Sequence, residues 1–251
     1  MKAYINGFLL MIQFMTRIPV NRELSCGMKD FRIGIGYFPI IGGIIGGVQY
    51  LIYMFLDKFI AQEISVVIAV IGGVLLTGAL HIDGLGDVFD GFFSFKGGKD
   101  KIMEVMKDSR MGTYGSLAIF LDMIIKILGY IVLVSKGLEV MIILAPVIGR
   151  TSMVLLFSQG KSAKENSSGN FYIGNCSIKH VIITFLEAFI IGTLLCGTKR
   201  TVILLLSSYI MILLFNKYCN KKIGGLVGDT LGAANEFSEI LTLIISSGYI
   251  F

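Results

Sequence analysis

Three aspartates, Asp83, Asp87 and Asp90, lie in the stretch HIDGLGDVFDGFFSF, from His81 to Phe95. On a helix advancing about 100° per residue they fall at about 0°, 40° and −20°, inside one narrow stripe. Like charges stacked at this spacing repel and destabilise a bare helix. A divalent cation removes that cost, because hard ions such as Mg²⁺ take carboxylate oxygens as ligands. The stripe therefore reads as a metal site with Mg²⁺ as the expected cofactor; a solvated acidic cap is the plainer alternative. Gly84, Gly86 and Gly91 thin the same helix and are expected to let a bulky diphosphate approach its backbone. His81, two residues before Asp83, is a candidate proton carrier.

Two further polar stretches share this chemistry. In KIMEVMKDSRMGTYG, from Lys101 to Gly115, Ile102, Met103, Val105 and Met106 predict a short amphipathic helix at an interface. Lys107 and Arg110 follow as candidate ligands for phosphate oxygens, beside the acidic pair Glu104 and Asp108. Taken alone, such a mixed run is usually a wetted helix face. In GGLVGDTLGAANEFSEI, from Gly224 to Ile240, Asp229 and Glu236 are seven apart and share a helical face, with Glu239 on roughly the same side. Glu236 is expected to join the metal site and Asp229 to act beside it as a catalytic carboxylate, whereas Gly228, Gly232 and Ala233 equally suit close helix packing.

The elements that must position these residues are set by composition. Hydrophobic residues make up 55 % of the 251, charged residues only 16 %, and the mean hydropathy is +0.80. A soluble domain carries about 25 % charged residues, so the long apolar runs here require lipid. Runs near the roughly 20 residues that span a bilayer are Ile33–Leu56, Ile64–Leu80, Gly115–Val134, Leu138–Phe157, Ile178–Cys196 and Thr201–Phe215. Tyr4–Thr16 and Phe237–Phe251 are shorter. The expected fold is an all-α, polytopic integral membrane helical bundle of six to eight transmembrane helices, one domain over 1–251. The start resembles a signal peptide but lacks a small-residue cleavage site before Arg17, and is expected to be retained.

With every run as a crossing, loops 17–32, 81–114, 158–177 with Lys179, and 216–236 hold fifteen basic residues; the opposite loops hold four. That asymmetry places the active-site loops 81–114 and 216–236 in the cytoplasm. The net charge of +5 is spread between apolar segments, so no nucleic-acid partner is expected. Cys26, Cys176, Cys196 and Cys219 show no metal or disulfide spacing. The polar 158–177 loop reads as a flexible connector, with a substrate-covering lid as the alternative. Within the spans, Asp122 and Lys126 are i, i+4 and can neutralise each other; Arg150 has no local partner and is a candidate for substrate phosphate. Gly42, Gly43, Gly46 and Gly47 have the spacing of close helix packing.

FMTRIPV, YFPIIGGIIGG, TGALHIDGLGDVFDG, MKDSRMGTYG and GGLVGDTLGAANEFSE together resemble the adenosylcobinamide-GDP ribazoletransferase family, also called cobalamin-5′-phosphate synthase, over nearly the whole chain. Gly86 and Phe89 replace the usual small residues, and GGLVGD departs from the usual residue before Thr-Gly-Asp; no carboxylate is lost. The resemblance implies a Mg²⁺-dependent enzyme of the prokaryotic cytoplasmic membrane. Its substrates would be adenosylcobinamide-GDP and α-ribazole or α-ribazole 5′-phosphate; its products, GMP and cobalamin or its 5′-phosphate. Asp83, Asp87 and Asp90 would then hold metal, Lys107, Arg110 and Arg150 phosphate, and Asp108 or Asp229 would accept the hydroxyl proton. The lipid bilayer is the expected environment, and the sequence leaves a homo-oligomer open. A CDP-alcohol phosphotransferase is disfavoured because no Ala-Arg follows the first Asp-Gly. A transporter is disfavoured because polar residues gather at one surface rather than mid-membrane.

Overall fold

A computed structural model describes residues 2–93, 97–164 and 168–248. Lys96 of the basic tally, positions 165–167 of the polar loop and positions 249–251 of the last run lie outside the described residues. Eleven α-helices occur among the described residues: α1 (Lys2–Met15), α2 (Met28–Gly34), α3 (Phe38–Leu56), α4 (Gln62–Thr77), α5 (Leu80–Phe93), α6 (Lys99–Val105), α7 (Thr113–Ser135), α8 (Met141–Gln159), α9 (Ile178–Cys196), α10 (Thr198–Ile223) and α11 (Gly228–Ser247). A 3₁₀ turn joins α2 to α3. The chain is a polytopic membrane helical bundle.

Among the described residues five spans are long and apolar enough to cross a bilayer: Met28–Leu56, α7, α8, α9 and α10. A sixth requires α4 and α5 to be one broken crossing, since they meet at 86°. With five or six crossings, the bundle falls one short of the expected six to eight or just reaches its lower bound. The reason is visible at both short runs: α1 has only 14 residues, and α11 carries Asp229, Glu236 and Glu239. Large apolar side chains such as Leu75, Phe120, Ile182, Leu194 and Leu214 point outward from α4, α7, α9 and α10, as lipid permits. Helix α8 is buried from Met141 to Phe157 except at Ile143 and carries Arg150 in its middle, with the more polar α11 packed beside it.

Glycine sets the closest crossing. A Cβ on Gly46 would lie 2.7 Å from the Ile142 carbonyl oxygen and 2.7 Å from Ile143 Cα, and one on Gly42 would lie 2.8 Å from Val147 Cα. Pro146 inside α8 cannot donate to the Ile142 carbonyl one turn earlier, and the bare Gly46 backbone fills that position. Gly43 and Gly47 take no part: their Cβ atoms would meet ordinary contact at 3.7 Å and open space.

The α4–α5 corner is built on two consecutive left-handed residues, Gly78 (φ 62°) and Ala79 (φ 59°). Alanine there is strained. Arg17 closes over the corner, its backbone N–H bonded to the Leu76 carbonyl at 2.6 Å and its guanidinium against Gly78. The segments expected on one membrane side converge on one end of the bundle. The Ala163 N–H donates to the Leu226 carbonyl at 2.8 Å, and Lys222 Nζ donates to the Phe92 carbonyl at 2.9 Å. At the other end Lys136 Nζ meets the Ser247 carbonyl at 2.6 Å.

Candidate active site

Helix α5 brings His81, Asp83 and Asp87 against the first turns of α11. A Cβ on Gly84 would stand 2.8 Å from the Asp229 carbonyl oxygen, and one on Gly232 would stand 3.0 Å from that of His81. Two glycines on opposite helices thus permit backbone contact and carry Asp229 beside the aspartates of α5. The glycines expected to admit a diphosphate are filled by protein instead: Gly84 by Asp229, Gly86 by Ile119 at 3.0 Å and Gly91 by the Ile102 carbonyl at 3.2 Å and Met106. The physical reason is that a missing side chain on a buried helix face is taken up by the nearest neighbour.

The result is a cleft of about 120 Å³, lined by the polar group Asp83, Asp229 and His81, by Gly228 and Gly232, and by Phe14, Leu80, Met153, Tyr172 and Leu231. Asp83 is exposed, and Asp87 and Asp229 are half-buried. Asp87 feels the repulsion of Asp229, Asp83 and Asp90, and Asp229 that of Asp83. The residue preceding α11 is Val227, which offers no side-chain acceptor to the first amides; Thr230 Oγ1 instead accepts the Val227 N–H at 3.0 Å. An uncapped helix start lined by Gly228 suits an anion. The turn before it is braced by Lys161 and Gly169: Leu226 N–H donates to the Lys161 carbonyl at 2.8 Å, and Gly169 approaches Gly228.

Asp90 shares the stripe but not the cleft. Its carboxylate accepts the N–H groups of Gly112 (2.7 Å) and Gly115 (2.9 Å), capping α7 from a neighbouring helix. Any Cβ on Gly112 or Gly115 would collide with that carboxylate, which accounts for both glycines of MGTYG.

Glu236 shares the face of Asp229 yet lies about 10 Å further along the axis, where it pairs with Lys126. Lys126 also meets Asp122 at 3.3 Å and Glu239 at 3.0 Å. Arg150 pairs with Glu239 and, through Nη2, with His81 Nδ1 at 3.3 Å. Asn235 Nδ2 donates to Glu236 and to Glu239, both at 2.9 Å. Arg150, expected to reach substrate phosphate, is therefore committed inside the bundle, only 3 % exposed. Because arginine only donates, Nδ1 of His81 is the acceptor and its proton sits on Nε2. His81 is thus held as a neutral N–H donor rather than a free proton acceptor. Asp122 and Lys126 do pair, as their spacing predicts.

The α6–α7 connection is exposed. Asp108 and Arg110 form a forked pair at 2.7 Å, and Arg110 holds the Asp108 carboxyl down at about 2. Lys107 lines a surface recess with Lys99 and Lys164 above the braced turn. Phe14, Tyr172 and Asn235 escape sequence reasoning: the first two look like ordinary membrane-helix and loop aromatics, and Asn235 like one polar residue among several.

The cleft offers Asp83 and Asp229 as the carboxylates that could hold a hard cation, with Asp87 beside them. Among the described residues no three His, Cys, Asp or Glu side chains enclose an ion. Mg²⁺ is commonly held by one or two carboxylates, with waters and substrate phosphate completing the shell. Asp83, Asp229 and Asp87 are hard oxygen donors whose mutual repulsion a cation would relieve.

No solved structure matches this chain. Its sequence is 46 % identical to an adenosylcobinamide-GDP ribazoletransferase of Clostridium tetani, over 96 % of each chain. It is 42 % identical to one of Clostridium botulinum over 98 % of each, and 43 % to one of Clostridium kluyveri over 98 % of this chain and 97 % of that one. The family profile described as cobalamin-5-phosphate synthase matches residues 7–247. A transferase of cobalamin synthesis, the chain belongs to the cobalamin-5-phosphate synthase family.

Proposed function

We propose that this chain is an adenosylcobinamide-GDP ribazoletransferase whose reaction takes place in the cleft between α5 and α11, on the cytoplasmic side of a prokaryotic inner membrane. The observation that carries the reading is the pairing of Asp83 and Asp229 across a glycine-mediated helix contact, in the cleft that also receives the uncapped start of α11. A ribose hydroxyl of α-ribazole or its 5′-phosphate attacks the phosphorus next to the cobinamide. The new P–O bond forms as the bridging P–O bond breaks, and GMP leaves with the bridging oxygen. Mg²⁺, held by Asp83 with Asp87 nearby, would neutralise diphosphate charge and leave the Asp229 carboxylate to take the hydroxyl proton. The amides at Gly228 face the same charge, and the Nε2–H of His81 is oriented as a donor by Arg150. Asp229 is the better placed base, since Asp108 is tied to Arg110 outside the cleft. Lys107, with Lys99 and Lys164, supplies positive charge at the cytoplasmic surface.

The test is GMP release by the purified chain in lipid vesicles supplied with Mg²⁺, adenosylcobinamide-GDP and α-ribazole phosphate. Asp83→Asn and Asp229→Asn should each lower the rate about a hundredfold or more, while Glu236→Gln should act through protein stability instead. Full turnover in either aspartate variant sinks the site; no GMP from folded wild type sinks the reaction.

A further inference from the structure

The cleft has two unlike kinds of lining. Asp83 and Asp229 supply carboxylates, so the charged diphosphate belongs beside them; Phe14, Leu80, Met153 and Tyr172 supply apolar surface. Phe14 stands at that apolar wall with 42 % of its surface exposed, while the rings behind it are buried, Phe31 at 8 % and Tyr172 at 3 %. Its ring meets Phe31 edge-on, centroids 6.2 Å apart at 89°, and Tyr172 at 5.8 Å and 55°. Phe31 is itself stacked on Phe171 at 4.5 Å and 26°, and Tyr172 on Phe157 at 4.9 Å and 16°. A braced aromatic wall thus presents one partly open ring to the carboxylate cleft.

We infer that this apolar lining seats the planar base of the acceptor nucleoside, with Phe14 as the ring on which it stacks; the inference rests on the transferase reading above. A nucleoside joins a flat apolar base to polar ribose hydroxyls in one stiff unit, and the cleft offers both an aromatic ring and carboxylates to receive them. A base held on Phe14 leaves its ribose toward Asp83 and Asp229. Aromatic side chains bind bases of many kinds through their π-faces, so Phe14 governs acceptor affinity rather than the choice of donor.

The chain contains no tryptophan, so Phe14→Trp introduces a unique fluorophore. With the full chain in lipid vesicles and no donor present, α-ribazole should quench its emission saturably, and adenosylcobinamide-GDP in the presence of Mg²⁺ should not compete that quenching away. In turnover, Phe14→Ala should raise the acceptor KM about tenfold or more while the donor KM stays within about twofold, and Phe14→Tyr should restore the acceptor KM. Absence of quenching by α-ribazole, an equal rise in both KM values, or quenching only by brominated lipid chains would overturn the assignment. A wild type that releases no GMP refutes the reaction, whereas quenching by the nucleoside reports on the cleft independently of it.

Discussion

Asp83 and Asp90 carry the same functional group on the same stripe of one helix, and their neighbours give them opposite tasks. Asp83 is open to the cleft; Asp90 spends both carboxylate oxygens on the amides of Gly112 and Gly115. The same divergence separates Asp229 from Glu236, which repeats its face two turns deeper and finds Lys126 there. Asp108, on the connection between α6 and α7, has its titration set by Arg110. Its folded value of about 2 lies below the ordinary carboxylate range, so it stays charged at every working pH, and the pairing with Arg110 is lost only as pH falls through about 2. A base of that kind takes protons poorly. The acid limb of the pH profile of GMP release should therefore survive in Asp108→Asn with little change. A profile that flattens in this variant would return Asp108 to the role of base.

At the scale of elements, glycine decides which helices may touch. The α3–α8 crossing depends on Gly42 and Gly46, whose virtual Cβ atoms fall on α8 backbone, while Gly47 faces open space. Overpacking a tight interior costs about 1–3 kcal/mol, whereas replacing an unconstrained helical glycine by alanine gains about 1 kcal/mol. Gly46→Ala should accordingly lower the thermal unfolding midpoint in detergent and Gly47→Ala should raise it slightly. Equal behaviour of the two variants would contradict the crossing. The same logic applies at α5–α11, where Gly84 and Gly232 set the distance between Asp229 and its partners. The α4–α5 corner adds a second device, since the 86° turn through Gly78 and Ala79 aims α5 across the bundle toward α11.

For the whole molecule, sidedness is the property that joins fold to chemistry. The turn before α11, the 161–164 segment, the end of α5 and the start of α7 meet at one end, and the α7 and α11 C-termini meet at the other. The basic excess lies at the first end. With the four native cysteines replaced, Lys107→Cys should react with an impermeant maleimide only after intact cells are opened, and Lys199→Cys should react without opening. The reverse pattern would place the cleft outside the cytoplasm. Inside the bundle, three carboxylates and two cations neutralise most of one another's charge around Lys126 and Arg150. Such a network ties α5, α7, α8 and α11 together, because an unpaired charge at that depth costs several kcal/mol.

The sequence alone determined the membrane-bundle class, the charge asymmetry, the stripe of α5 and the helix pairing of Asp122 with Lys126, because each depends only on hydropathy or on the 3.6-residue period. The motifs that carry the family resemblance were legible for the same reason: they are contiguous. Depth and partnership were not. Whether Asp90 holds an ion or an amide, whether Arg150 meets phosphate or Glu239, and whether Gly84 makes room for substrate or for Asp229 depend on which helix lies opposite. Periodicity names a face, but only tertiary packing brings the partner to it.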